Sequence, residues 1–206
     1  MGYIMNINGK RVILASKSPR RREILAMLGV KFDVVTADTD EHSDITDPEA
    51  LVKELALRKG RAVRELLKAQ GAWDNDTLVI ASDTVVATDD TVLGKPEDEE
   101  DAARMLRELQ DSTHRVMSGV ALLLGDREIT DHDSTAVHFA PMSEADIRWY
   151  ASSGEPLDKA GAYAVQGLAS LFIKGLSGDY FNVVGLPVYR LNLLTKSFVG
   201  KALTEL

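Results

Sequence analysis

Short apolar runs alternate with longer amphipathic stretches along this chain, and that alternation constrains its fold more than any other feature. Residues 12–15 and 77–81 are apolar runs of strand length. Residues 48–69 carry apolar side chains at three- and four-residue spacing, which is typical of a helix with one buried face. Residues 125–126, Gly-Asp, separate two long apolar-rich segments and predict a hairpin. Because crossover and hairpin connections occur together, we predict an α/β fold with a mixed sheet.

Local signals predict where several elements begin and end. Ser18 before Pro19 predicts a helix start with Ser18 as its N-cap. The polar residues 82–84 predict the end of the strand that begins at residue 77, and residues 85–87 are predicted to continue extended. Residues 182–184 are predicted as a further strand, and residues 187–198 as the last helix.

Composition narrows the chemistry available to the protein. The 206 residues include no cysteine, which excludes a disulfide framework, a zinc ribbon and a thiol nucleophile. The formal charge is 24 − 32 = −8 and 6% of the residues are aromatic, which argues against a nucleic-acid partner. The length fits a single domain over residues 1–206, built as two lobes that share a core.

We find no sequence signal for export or membrane insertion. Residues 1–10 are short and polar, without the apolar stretch of a signal peptide. The longest apolar runs, such as residues 120–124, are far shorter than the ~20 residues of a membrane helix. We therefore expect a cytoplasmic protein with no membrane partner.

Residues 16–22 gather positive charge in a chain that is acidic elsewhere. They lie at a strand-to-helix junction, where free backbone N–H groups and the helix dipole favour phosphate. The two serine hydroxyls and four cationic side chains of this segment could therefore bind phosphate oxygens. The alternative is a solvated basic helix start with Ser18 as an ordinary cap, and Arg22 is the arginine most typical of a surface position.

Asp83 and Thr84 follow the apolar run that ends at residue 81. Proteins of the α/β class bind ligands at the carboxyl ends of their strands. An aspartate there can hold a divalent metal, activate a water molecule, or do both. The alternative is an Asx-turn that closes the strand.

Two lysines and one glutamine complete the set of candidate residues. Lys59 falls on the apolar face of the predicted long helix, and Lys95 lies in the segment Leu-Gly-Lys-Pro. Either could reach a phosphate, although a lysine on an apolar face is more commonly a stem whose head reaches water. Gln166 lies in the glycine-containing residues 158–167, and its amide matches the donor and acceptor edge of uracil or thymine. The alternative for that stretch is a structural loop.

Taken together, these segments resemble the Maf family of nucleoside triphosphate pyrophosphatases. They occur in order between residues 12 and 194, which is nearly the whole chain. The matching segments are residues 14–21, 81–86, 93–96, 113–116, 158–167, 178–180 and 184–187.

The resemblance implies a Maf/inosine-triphosphatase-like fold, with a mixed twisted sheet and two lobes around a central cleft. It also implies hydrolysis of a nucleoside triphosphate to the monophosphate and pyrophosphate, assisted by a divalent cation such as Mg²⁺ or Mn²⁺. The substrate is then a nucleoside triphosphate, and a homodimer is the expected assembly.

The resemblance also implies roles for individual residues. Asp83 matches the family's proposed general base. Ser16, Arg20 and Arg21 match its phosphate-binding segment, and further charged site positions are matched by Glu41, Lys59 and Lys95. Glu41 and Asp83 would hold the metal, and an alignment shifted by one residue places Asp40 at the position of Glu41.

Base preference divides the family. The branch that acts on dTTP and UTP is similar to this chain at Arg21, Thr84 and Gln166, whereas the branch that prefers 7-methyl-GTP differs over residues 161–166. We therefore expect dTTP and UTP as substrates. The alternatives are an enzyme acting on ITP, XTP or 7-methyl-GTP, and a nucleotide-binding regulator of septum formation and cell division.

Overall fold

The structure is a computed structural model that describes residues 10–206. The predicted absence of a signal segment concerns residues 1–10 and so lies, apart from Lys10, outside the described residues. In chain order the helices and strands are β1 (Arg11–Ala15), α1 (Pro19–Met27), β2 (Asp33–Val34), α2 (Pro48–Ala69), β3 (Thr77–Ala87), β4 (Val92–Leu93), α3 (Glu99–Leu109), β5 (Thr113–Leu124), β6 (Arg127–Phe139), α4 (Glu144–Ala151), β7 (Ile173–Ser177), α5 (Tyr180–Val184) and α6 (Val188–Val199). Four 3₁₀ turns occur at Glu155–Asp158, Ala160–Ala162, Leu168–Phe172 and Leu203–Glu205.

The strands form one mixed sheet, which confirms the predicted α/β class. Its order is β2-β1-β3-β5-β6-β7, and β4 pairs with β3. Strand β1 runs parallel to β2 and β3, because helices α1 and α2 serve as crossovers between them. Strand β4 is antiparallel to β3, and β7 is antiparallel to β6.

Helix α2 has the predicted bounds. It begins at Pro48, where the side chain of Asp47 accepts a hydrogen bond from the backbone N–H of Ala50 at 2.9 Å. Its buried face packs on the sheet through Ala56, Val63 and Leu67. The apolar residues that these contact belong to β1, β3 and β5: Ile13, Ala15, Val79, Ala81, Ala121 and Leu123.

Strand β3 is longer than predicted, and the predicted strand end at residues 82–84 is wrong, whereas the predicted extended conformation of residues 85–87 is confirmed. The backbone stays extended to Ala87, so Asp83 lies within the strand and no Asx-turn closes it there. Parallel pairing with β1 stops at Ala81, and antiparallel pairing with β4 begins at Val86. Hydrogen bonding to neighbouring strands outweighs the local polarity of this stretch. Asp83 nevertheless lies two residues beyond Ala81, the last residue of β3 that pairs with β1.

One further prediction is wrong. Residues 182–184 lie in α5 rather than in a strand. The reason is tertiary, since the buried amide of Asn182 donates to the Val116 carbonyl at 2.8 Å and to the Thr135 hydroxyl at 3.0 Å. The predicted start of α1 is confirmed, with Ser18 as the N-cap and Pro19 as the first helical residue, although the Ser18 side chain makes no cap hydrogen bond.

The described chain divides into two compact units. The first comprises residues 10–83, 118–133 and 185–206, and the second comprises residues 84–117 and 134–184. Each has its own apolar core, under α2 in the first unit and around α3 and α4 in the second. The organisation as one domain with a shared cleft stays a prediction.

Within residues 10–206, every helix is either too short or too polar to cross a lipid bilayer.

Strand β5 lies very close to the backbone of α2 at Gly119. A Cβ atom there would lie 2.1 Å from the carbonyl oxygen of Val52 and 2.8 Å from the backbone nitrogen of Lys53. Neither atom can move without shifting α2.

We predict that Gly119→Ala lowers the free energy of unfolding by about 1–3 kcal/mol, because an added methyl group must displace backbone. Gly175→Ala in β7 is the matched control, since a Cβ atom there meets nothing within 4 Å. Urea denaturation of both variants measures the difference. Equal stability losses in the two variants would contradict the close approach.

His114 in β5 is a buried histidine in the core of the second unit. Its ring packs against Phe139 and Tyr163, with Nε2 at 2.7 Å from the Tyr163 hydroxyl. Burial, with a smaller effect from the charge of His138, lowers the pKa of His114 to about 4. The ring is therefore neutral in the folded protein at neutral pH.

We predict an acid-side loss of stability from this histidine. The unfolded chain binds the proton near pH 6.5 and the folded chain only near pH 4, so stability is full above pH 6.5 and falls as pH drops through that window. The loss is at most about 3 kcal/mol. His114→Gln should remove it, whereas His42→Gln, at an exposed histidine, should not. Urea titrations from pH 7 to pH 4 make the comparison, and equal slopes in wild type and His114→Gln would refute it.

Candidate active site

An ion-paired group of charges lies where α2 meets β3. The ammonium of Lys59 donates a hydrogen bond to Oδ1 of Asp83 and lies 2.8 Å from Oε1 of Glu41. The exposed fractions of the side chains are 10% for Asp83, 20% for Lys59 and 58% for Glu41. The group therefore runs from a buried carboxylate outward to an open one, and the head of Lys59 is directed at carboxylates rather than into bulk water.

Pairing is what makes the buried position of Asp83 possible. An isolated carboxylate taken out of water is strongly destabilising, and an ammonium in hydrogen-bond contact offsets much of that penalty. Lys59 reaches Asp83 because it lies on the same helix face that packs its apolar neighbours onto the sheet. The helix period therefore places the Lys59 ammonium among apolar side chains, at the position where β3 supplies the Asp83 carboxylate.

The loop before α2 presents Glu41 to Lys59, not Asp40. The carboxylate of Asp40 accepts a hydrogen bond from the backbone N–H of His42 at 2.9 Å. Arg58 donates to the Asp40 and His42 carbonyls at 2.7 and 2.8 Å, which anchors the loop on the helix. The position suggested by the shifted alignment is thus occupied by a residue with a local structural role.

Arg21 is directed at the framework of the site. Its Nε donates to the carbonyl of Gly185 at 2.7 Å, and its Nη1 donates to the carbonyl of Ser82 at 2.8 Å. Burial lowers the pKa of Arg21, and the negative charge of Asp83 opposes that shift. The guanidinium thus joins α1, β3 and the chain before α6, and its predicted contact with phosphate stays a prediction.

The remaining residues of the basic segment differ in their surroundings. Ser16 is buried, and its hydroxyl accepts from the backbone N–H of Ser18 at 3.1 Å. Arg20 is half-buried, Arg22 is exposed as predicted, and Lys17 pairs with Asp38 at 2.8 Å. Within this segment Lys17 is therefore ion-paired, and Arg21 donates to backbone carbonyls.

Three of the predicted site residues belong to the second unit. Thr84 follows Asp83 in β3 and is half-buried, whereas Lys95, two residues after β4, is exposed. Gln166 is exposed in the segment between two 3₁₀ turns. The structure thus brings Ser16 close to Arg21, and Glu41 and Asp83 close to Lys59. The contacts of the other three with substrate stay predictions.

Sequence reasoning missed the parts played by Ser82 and Gly185. The Ser82 hydroxyl donates to the Gly185 carbonyl at 3.0 Å. The backbone carbonyls of Ser82 and Gly185 both accept hydrogen bonds from Arg21. A backbone carbonyl leaves no side-chain signal in a sequence. The buried hydroxyl next to the candidate aspartate was the one available clue.

The donor chemistry of Glu41 and Asp83 fits a hard divalent cation. Mg²⁺ and Mn²⁺ prefer oxygen ligands, and Mg²⁺ is commonly bound by one or two carboxylates together with substrate phosphates. Within the described residues no cluster of three or more His, Cys, Asp or Glu side chains is placed to hold a metal. A metal here would accordingly use these two carboxylates with ligands from the substrate.

The fold and these groups define a class of protein. It is an α/β protein with a lysine–carboxylate centre on an inner strand, next to a basic strand-to-helix junction. Such a combination suits an anionic substrate and the activation of water.

The chain belongs to the Maf-like family, since the sequence profile described as "Maf-like protein" matches residues 11–198. A dTTP/UTP pyrophosphatase of Symbiobacterium thermophilum is 48% identical over 182 residues, 88% of this chain and 90% of that protein. A dTTP/UTP pyrophosphatase of Pelotomaculum thermopropionicum is 48% identical over 193 residues, 92% and 97% of the two chains. Among solved structures, a HAM1 protein from Coxiella burnetii is 14% identical, with a TM-score of 0.47 over 65% of this chain and 74% of that chain. The family assignment rests on the sequence matches.

We predict that Arg21→Ala lowers the free energy of unfolding by about 1–3 kcal/mol, because the Ser82 and Gly185 carbonyls lose a charged donor. Arg22→Ala, one residue further along the same helix and exposed, should change it by no more than about 0.5 kcal/mol. Thermal unfolding of the two variants provides the measurement. Indistinguishable variants would mean that the guanidinium contacts do not hold in solution.

Proposed function

We propose that this protein is a nucleoside triphosphate pyrophosphatase that hydrolyses dTTP and UTP to the monophosphate and pyrophosphate. The observation that carries the proposal is the buried carboxylate of Asp83, paired with Lys59, on an inner strand of a Maf-like protein. The relatives named above, both dTTP/UTP pyrophosphatases, support the choice of substrate.

Asp83 is the proposed general base. It orients a water molecule and takes its proton as the water oxygen bonds to the α-phosphorus. The bond from the α-phosphorus to the bridging oxygen breaks, and pyrophosphate leaves with that oxygen and its electron pair. The Lys59 ammonium keeps positive charge beside Asp83. It is proposed to stabilise the negative charge that develops on the phosphate oxygens in the transition state.

A triphosphate carries about four negative charges, and these must be offset before water can approach phosphorus. Ser16 and Arg20 in the first unit are proposed to bind phosphate oxygens, as is Lys95 in the second. Glu41 and Asp83 are the residues that would hold Mg²⁺ or Mn²⁺. When bound, such a cation would neutralise phosphate charge and polarise the P–O bonds.

Base selection is proposed for Gln166. Its amide can accept from the N3–H of uracil or thymine while donating to a neighbouring ring carbonyl. Cytosine presents an acceptor at N3 and an amino group beside it, so it mismatches the amide in this orientation and pairs with it only if the amide turns by 180°. Thr84 and Arg21 are the other residues at which the chain resembles the pyrimidine branch.

The proposal carries further expectations about the protein in the cell. We expect one domain that acts in the cytoplasm as a homodimer, with neither nucleic acid nor membrane as a partner. An enzyme for ITP, XTP or 7-methyl-GTP and a catalytically silent regulator are the outcomes against which the proposal is tested.

We predict that wild-type protein with Mg²⁺ or Mn²⁺ releases pyrophosphate from dTTP and UTP faster than from ITP, XTP or 7-methyl-GTP. Asp83→Asn should lower kcat by about 10²–10⁴, the usual contribution of a general base. Asp126→Asn, in the exposed hairpin turn, is the matched control and should keep wild-type turnover. Coupled pyrophosphate detection makes both comparisons, with circular dichroism to verify folding.

The two halves of this proposal fail separately. A preference for a purine nucleotide would overturn the substrate assignment. Near-wild-type kcat in folded Asp83→Asn would overturn the general base and leave the substrate assignment standing.

A further inference from the structure

The segment that carries Gln166 is held at both ends by one pair of side chains. The Tyr150 hydroxyl of α4 donates to Oε1 of Glu155 at 2.8 Å. That hydroxyl accepts from the backbone N–H of Ala164 at 3.2 Å, and Oε2 of Glu155 accepts from the backbone N–H of Leu168 at 3.1 Å. Two residues before and two residues after Gln166, the backbone is therefore tied to the same tyrosine–glutamate pair.

The pair is built to hold one geometry. Tyr150 is fully buried, and burial together with its hydrogen bond to Glu155 raises the pKa of Tyr150, so its hydroxyl stays a donor. Each carboxylate oxygen of Glu155 has its own partner, one a hydroxyl and the other a backbone N–H. This division of partners fixes the orientation of the carboxylate.

Close packing adds a second constraint on the same segment. A Cβ atom at Gly167 would lie 2.1 Å from Oε2 of Glu155, so the carboxylate rests directly on this backbone. The N–H of Gly167 donates to the Ala164 carbonyl at 3.1 Å, which closes the segment into a turn. Gln166 is exposed on that turn, while the groups that fix the turn lie beneath it.

We propose that Tyr150 and Glu155 are positioning residues that hold Gln166 for pyrimidine selection. The inference rests on the proposed function, in which the Gln166 amide contacts the base. An amide on a turn that is already ordered loses less conformational freedom when the base binds, so discrimination is sharper. The pair acts through the backbone at Ala164 and Leu168, not by touching substrate.

The test is a double-mutant cycle on base discrimination. The kcat/KM values for dTTP and dCTP are measured for wild type, Tyr150→Phe, Gln166→Ala and the double variant. Tyr150→Phe keeps the ring in the core and removes only the hydroxyl. We expect it to lower the dTTP-to-dCTP ratio roughly 3- to 10-fold, mainly through a higher KM for dTTP. In the Gln166→Ala background the same change should lower the ratio no further.

Glu155→Gln provides a second variant. The carboxylate accepts from the Tyr150 hydroxyl at one oxygen and from the Leu168 N–H at the other, whereas an amide has a single oxygen and can keep only one of these two acceptor sites. It should lower the ratio in the same direction. Tyr189→Phe, at an exposed tyrosine in α6, is the matched control and should leave the ratio unchanged. Each variant is assayed below its own thermal midpoint, so that folded protein is compared throughout.

Several results would overturn the inference. These are an unchanged ratio in both Tyr150→Phe and Glu155→Gln, an equal loss of kcat/KM for both nucleotides, or an undiminished effect of Tyr150→Phe when Gln166 is already alanine. An unchanged ratio in Gln166→Ala would overturn it as well. Failure of the proposed function is recognised separately, since wild type itself would then not hydrolyse dTTP.

Discussion

The ion pair between Lys59 and Asp83 is the interaction on which the rest of the first unit depends. It joins the buried face of α2 to the inner strand β3, and the carboxylate it neutralises is almost wholly buried. Gly119 lets β5 lie close to the first half of α2, because a Cβ atom there would lie 2.1 Å from the carbonyl oxygen of Val52. Apolar packing and charge pairing therefore stabilise the same arrangement, and the loss of the Lys59 ammonium would leave the buried Asp83 carboxylate uncompensated.

The parts of the fold that local chemistry determines were predictable from sequence. Helix α2 begins at Pro48 and ends at Ala69 as its apolar spacing indicates, because the helix period and the Asp47 cap act within a few residues. Strand β3 was predicted too short, since its continuation through Asp83 depends on partners distant in the sequence. The same holds for α5, where the contacts of Asn182 with β5 and β6 decide the conformation.

The candidate site was likewise predictable from the sequence only in part. Sequence patterns singled out Lys59 and Asp83, because a charge on an apolar face or after an apolar run is an anomaly that can be seen locally. Glu41 was named only through the resemblance to the Maf family. They did not reveal that Arg21 donates to the Gly185 carbonyl, 164 residues away, since a carbonyl has no sequence signature. The tyrosine–glutamate pair under Gln166 was invisible for a similar reason: its partners are the backbone N–H groups of Ala164 and Leu168.

The central claim is that water attacks the α-phosphorus of a pyrimidine nucleoside triphosphate. Hydrolysis of dTTP in ¹⁸O-labelled water, followed by mass spectrometry of both products, tests it most directly. Attack at the α-phosphorus places one ¹⁸O atom per turnover in dTMP and none in pyrophosphate. Label in pyrophosphate, or release of dTDP and inorganic phosphate, would contradict it.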